Sequence, residues 1–125
     1  VAIARALLFK PNLLLLDEPF AALDNLSREL ISAELVSIIK KESLTVIMVT
    51  HSVEEAALMS DEVLITGIAP INIIKKFTPP KRENNQSWQK LGLRKSLQEK
   101  SFNDYLKLIR DTSYLILEKE KKFGL

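Results

Sequence analysis

The chain contains no cysteine, only three glycines and five prolines, and one histidine and one tryptophan among its 125 residues. The lack of cysteine excludes disulfides and thiolate-ligated metal, and fits a reducing compartment. Gly67, Gly92 and Gly124 stand alone, and none precedes a lysine. That excludes a G-x-x-x-x-G-K-[ST] loop, whose glycines let backbone N–H groups close around phosphates while the lysine reaches the outer ones. No apolar run reaches the roughly eighteen residues of a membrane span, and no signal peptide is visible, so a cytosolic segment is expected. Any membrane association would run through a partner. The 46% apolar content and net charge of +2 are ordinary for a soluble domain.

Residues 13 to 18 carry the strongest signal: four consecutive leucines followed by Asp17 and Glu18. Such a run without polar alternation suits a strand covered on both faces, as in a parallel sheet, with the carboxylates emerging at its C-terminal end. Open α/β sheets bind ligands at that end. Paired carboxylates there call for a cation such as Mg²⁺ or a set of donors, which points to nucleotide chemistry. A plain core strand followed by a solvated acidic turn, stopped by Pro19, accounts for the hexapeptide equally well.

Residues 44 to 51 give a second, β-branched-rich strand ending at His51. Between the two strands Ile31, Leu35, Ile38 and Ile39 recur at helical spacing, with Asp24 or Asn25 available as N-cap. Strand, helix, strand is a βαβ unit, and it sets Asp17, Glu18 and His51 on one edge of a parallel sheet. A third unit repeats the pattern: Ser52 and Glu55 form a capping box, a short helix runs to about Ser60, and Glu62 to Thr66 returns as a strand. Residues 1 to 9 read as a packed helix, on which Arg5 has no catalytic role.

These segments resemble a known family. Val1 to Leu8 (VAIARALL), Leu13 to Pro19 (LLLLDEP), Ala21 to Asp24 (AALD), Val46 to Glu55 (VIMVTHSVEE) and Ser60 to Val63 (SDEV) resemble, in order and spacing, the C-terminal half of the nucleotide-binding subunit of ABC transporters. Several short motifs in the right order are more specific than any one of them. The implied fold class is α/β: the C-terminal part of a P-loop NTPase parallel sheet with flanking helices, plus a helical C-terminal tail.

The resemblance implies roles for individual residues. Asp17 is similar to the Walker B aspartate, which holds the Mg²⁺ of Mg-ATP through a bound water, because magnesium dehydrates reluctantly. Glu18 resembles the general base that orients or deprotonates the attacking water. His51 resembles the switch histidine at the γ-phosphate. Asp24, in a loop reading AALD where the family more often has SALD, resembles the D-loop aspartate that communicates across the ATPase dimer. Read from the residues alone, Asp24 is equally a helix N-cap and His51 a structural histidine at a strand end.

The family's Walker A and LSGGQ-type signature motifs are absent from the 125 residues, so the sequence reads as truncated at its N-terminus. Three regions are expected: 1–77, the C-terminal portion of an ABC ATPase domain; 78–100, a linker; and 101–125, a C-terminal helix. The linker reading rests on residues 78 to 89 (TPPKRENNQSWQ), polar apart from Pro79, Pro80 and Trp88, and the helix on Phe102, Tyr105, Leu106 and Ile109. Charge divides along the same line. Residues 1–66 carry five basic and ten acidic side chains, and residues 67–125 carry thirteen and six. The lysines form no dense cluster of the kind that reads lipid, and no aromatics interleave them, so no nucleic-acid partner is expected.

The tail from Phe77 to Arg82 and from Phe102 to Arg110 resembles that of importer ATPases of the nitrate, sulfonate and taurine group, although Thr66 to Pro70 (TGIAP) departs from that group's turn. The resemblance implies ATP and Mg²⁺ as cofactors and a second ATPase subunit and transmembrane permease subunits as partners. It further implies a solute-binding protein acting indirectly and a place at the cytoplasmic face of the inner membrane. This segment alone would be inactive. A non-transport ATPase of the DNA-repair type and a non-catalytic remnant are the competing readings.

Overall fold

A computed structural model describes residues 2–67, 72–82 and 87–122, with side chains described from Arg5 to Lys119 within those ranges. Val1, the turn residues Ile68 to Pro70 and the linker positions Glu83 to Gln86, all named above, lie outside the described residues. The chain divides into two compact units, 1–52 and 53–125.

The first unit is the βαβ unit that the sequence pattern calls for. Helix α1 (Ala2–Leu8) leads to β1 (Leu13–Asp17), α2 (Asn25–Lys41) and β2 (Thr45–Val49). The two strands pair in parallel from Leu13↔Thr45 to Asp17↔Val49, which is the register that levels their C-terminal ends. Asp24 caps α2: its carboxylate accepts the Ser27 N–H at 2.8 Å and the Ser27 hydroxyl at 3.2 Å. The Ser27 backbone bond, with its hydroxyl, holds this carboxyl below the usual range. Lys40 and Lys41 close the helix where its dipole favours cations.

The apolar face of α2 is largely the one that the spacing suggests, with Leu35 buried and Ile38 and Ile39 half-buried, but it is rotated at its start. Ser32, Leu35 and Val36 are buried, whereas Ile31 and Leu30 face outward. Ser32 can occupy the buried stripe because its hydroxyl donates to the Arg28 carbonyl one turn back. Phe20 is fully buried and pins the loop between β1 and α2. In α1, Ala6 and Leu7 are half-buried, whereas Leu8 and Phe9, at its end, are both largely exposed.

The second unit holds α3 (Val53–Met59), β3 (Val63–Thr66), β4 (Ile73–Phe77), α4 (Trp88–Leu91), α5 (Leu93–Ser96) and α6 (Lys100–Lys122). The third strand does not extend the parallel sheet. It pairs antiparallel with β4, Val63 opposite Phe77, in a sheet of its own. Helix α6 starts one residue before the expected 101–125 helix, whose positions 123–125 lie outside the described residues, and Phe102, Tyr105, Leu106 and Ile109 form the core with Ala57, Val63, Phe77 and Trp88.

The stretch read as an exposed linker contributes an anchor to that core. Trp88 is buried, its ring 5.1 Å from that of Phe102 and its indole N–H donating to the Pro80 carbonyl at 2.7 Å. A large amphipathic ring gains most by burying its body while its N–H finds a partner, and the Pro79–Pro80 segment supplies that partner. Arg82 lies 5.2 Å over the same ring and pairs with Glu99 at 3.1 Å. Gly92 joins α4 to α5 at φ 87, a left-handed conformation that glycine adopts without strain.

Tyr105 is the exception in this core, since its buried hydroxyl has no hydrogen-bond partner among the described residues. Burial pushes the phenol up to about 12, from an ordinary 10. Between those values the unfolded chain has lost the proton while the folded one keeps it, so the native state binds more protons and stability falls as pH rises. Below that window the group contributes no pH dependence. Denaturant midpoints measured just below and well above pH 10 are expected to show this alkaline loss in the native chain and a smaller one in Tyr105→Phe. The variant is expected to be at least as stable as the parent at neutral pH, because it removes an unpaired polar group.

Candidate active site

Each proposed site residue lies in the first unit. Asp17 ends β1 opposite Val49 and is exposed. Glu18 continues the strand line by one step: its N–H donates to the Val49 carbonyl at 2.8 Å. Its backbone then turns into the left-handed region at φ 45, directly ahead of Pro19, where a chain ordinarily runs extended. The turn swings the carboxylate across to β2. There Oε1 accepts the His51 backbone N–H at 2.7 Å, a charge-assisted bond between the ends of the two strands.

The imidazole of His51 stands apart from that bond. Nε2 lies 3.6 Å from the same Oε1, beyond hydrogen-bond reach, and the side chain is 97% exposed. A buried structural histidine is therefore not what the fold holds here. Its ring faces open space at the C-terminal edge of the sheet, free to meet a ligand. Thr50, which pattern reading passed over, shapes this turn: its hydroxyl accepts the Ser52 N–H at 3.0 Å just ahead of α3. A threonine next to a helix start was the available signal.

The structure thus brings Glu18 and His51 into contact and sets Asp17 beside them at the strand end. Asp24 serves as the N-cap of α2, and its two oxygens are engaged with Ser27. Among the described residues no three His, Cys, Asp or Glu side chains cluster tightly enough to cage a metal ion. Magnesium held by one or two carboxylates, waters and substrate phosphates needs no such cage, so an exposed Asp17 at the sheet edge fits that mode.

No protein-family profile matches the chain. Individual proteins do. The aliphatic sulfonates import ATP-binding protein of Bacillus cereus is 42% identical over 95 residues, which is 73% of this chain and 38% of that protein. The chain is a homologue of the ATP-binding subunits of ABC importers. The nitrate import ATP-binding protein of Synechocystis is 51% identical over 70 residues, 56% of this chain and 10% of that protein. The taurine import ATP-binding protein of Rhizobium johnstonii is 46% identical over 77 residues, 62% of this chain and 29% of that protein. The homologue thus spans well under half the length of these curated relatives. Among its described residues, no helix is long and apolar enough to cross a membrane.

Proposed function

We propose that this chain forms the catalytic-edge portion of an ABC importer ATPase of the nitrate, sulfonate and taurine group. What supports the reading most directly is the meeting of Asp17, Glu18 and His51 at one sheet edge, with the Glu18 carboxylate fixed by a backbone N–H and the His51 ring left open. Asp17 would hold the magnesium of Mg-ATP, which when bound neutralises developing phosphate charge. Glu18 would take or orient the proton of the attacking water through the oxygen that the His51 N–H does not occupy. His51 would contact the terminal phosphate and report its loss, and Asp24 would face the second ATPase subunit.

In this reading two ATPase subunits close over ATP and drive transmembrane permease subunits at the cytoplasmic face of the inner membrane, with a solute-binding protein acting through the permease. The reported relatives are import proteins, which favours transport over DNA repair. The presence of all three edge residues favours a catalytic chain over a remnant. The test is a chimera in which this chain replaces the matched segment of the Bacillus cereus relative. Mg²⁺-dependent ATP hydrolysis by the folded chimera supports the reading. A folded, ATP-binding chimera without hydrolysis would overturn it.

The chain by itself is expected to bind Mg-ATP no more tightly than about 1 mM, because the phosphate grip of this chemistry comes from a glycine-rich loop and lysine that its sequence lacks. Calorimetric titration measures this. A micromolar dissociation constant would show that the described edge holds nucleotide unaided.

A further inference from the structure

Helix α6 packs on its core through Phe102, Tyr105, Leu106 and Ile109, and beyond them it carries one turn that is apolar on every side. Tyr114, Leu115, Ile116 and Leu117 follow one another, and consecutive helical residues step round the axis by about 100°. Tyr114 is 63% exposed, Leu115 58% and Leu117 56%. A helix that is apolar all round is normally enclosed, so this turn is built for contact.

Its surroundings identify the occupant. Four residues are far short of the roughly twenty that cross a bilayer, and a helix lying on a membrane keeps its apolar residues to one side. Asp111, Leu115 and Lys119 recur at every fourth residue, so they line one exposed stripe with the leucine in the middle and opposite charges at the ends. Turned end for end about a two-fold axis through Leu115, that stripe matches itself: the two leucines meet, and each Asp111 faces the other copy's Lys119. A parallel pairing would set like charges together. We infer that α6 docks a second copy of the chain, antiparallel, through the Asp111–Leu115–Lys119 stripe. A single helix crossing buries less than the roughly 1,200 Å² of a stable interface, and exposed ion pairs are screened by salt, so the contact is weak and strengthens at low ionic strength. It involves the second unit alone and is independent of the ATPase reading.

Since the chain has no cysteine, a single introduced thiol reports one position. Leu115→Cys sets two thiols at the axis, within disulfide reach of each other. Leu30→Cys on α2, where the native side chain is 64% exposed, is the control. Mild oxidation at low salt is followed by non-reducing electrophoresis over a range of protein concentrations, with circular dichroism confirming the fold. Covalent dimers are expected to form at least about tenfold faster from Leu115→Cys than from Leu30→Cys. Adding Asp111→Lys, or instead Lys119→Asp, should slow that cross-linking by about 3–10-fold, and the two swaps combined should restore it.

Equal rates at positions 115 and 30 in folded chains overturn the inference. So does a rate at 115 that ignores the single swaps, or one that the double swap fails to restore. A Leu115→Cys chain that stays monomeric at every concentration overturns it too, and assigns the apolar turn to a partner of another kind.

Discussion

Glu18→Gln in the chimera is expected to lower ATP hydrolysis by about 10²–10⁴-fold while Mg-ATP still binds, the loss typical of a removed general base. The substitution isolates chemistry from architecture. Glutamine keeps an oxygen that can accept the His51 N–H now 2.7 Å from Oε1, so the clamp between the strand ends survives. It cannot take a proton from water. Phosphate release and nucleotide binding measured on the same preparation make the comparison, and near-normal turnover would leave Glu18 as a structural clamp only.

His51→Ala is expected to reduce hydrolysis by about 10²–10³-fold, as when a single donor to transition-state charge is removed. Folding stability should barely change. The side chain is 97% exposed, and the group that holds Glu18 is the backbone N–H of residue 51, which alanine retains. Denaturant midpoint and ATPase rate on one sample separate the alternatives. A large fall in midpoint with undiminished activity per folded molecule would take His51 out of the site.

The edge that carries these two residues was legible in sequence because its signal is local. Unbroken apolar runs ending in carboxylates or histidine mark strand ends, and one helical period between them fixes a parallel pairing. The Asp24 cap follows from the same short-range logic. What periodicity could not supply was partnership between distant elements. Nothing in Glu62 to Thr66 says that it will pair antiparallel with Ile73–Phe77, and a tryptophan amid polar residues reads as surface until Pro80 offers its carbonyl. Within α2 the spacing favoured Ile31 over Ser32, because a hydroxyl's burial depends on a carbonyl one turn back that no hydropathy pattern registers. The bond from the Glu18 carboxylate to the His51 N–H was likewise invisible, since it depends on a backbone turn that glutamate rarely makes.

That turn has an evolutionary edge to it. At φ 45 a glycine would rest without strain and an asparagine nearly so, whereas a longer side chain raises the energy of the loop by about 1–2 kcal/mol. Durability and reactivity therefore pull in opposite directions at this one position. Laboratory selection for heat tolerance alone would find residue 18 an easy place to relax, and under the role proposed for it the survivors would be sturdier proteins that no longer split ATP.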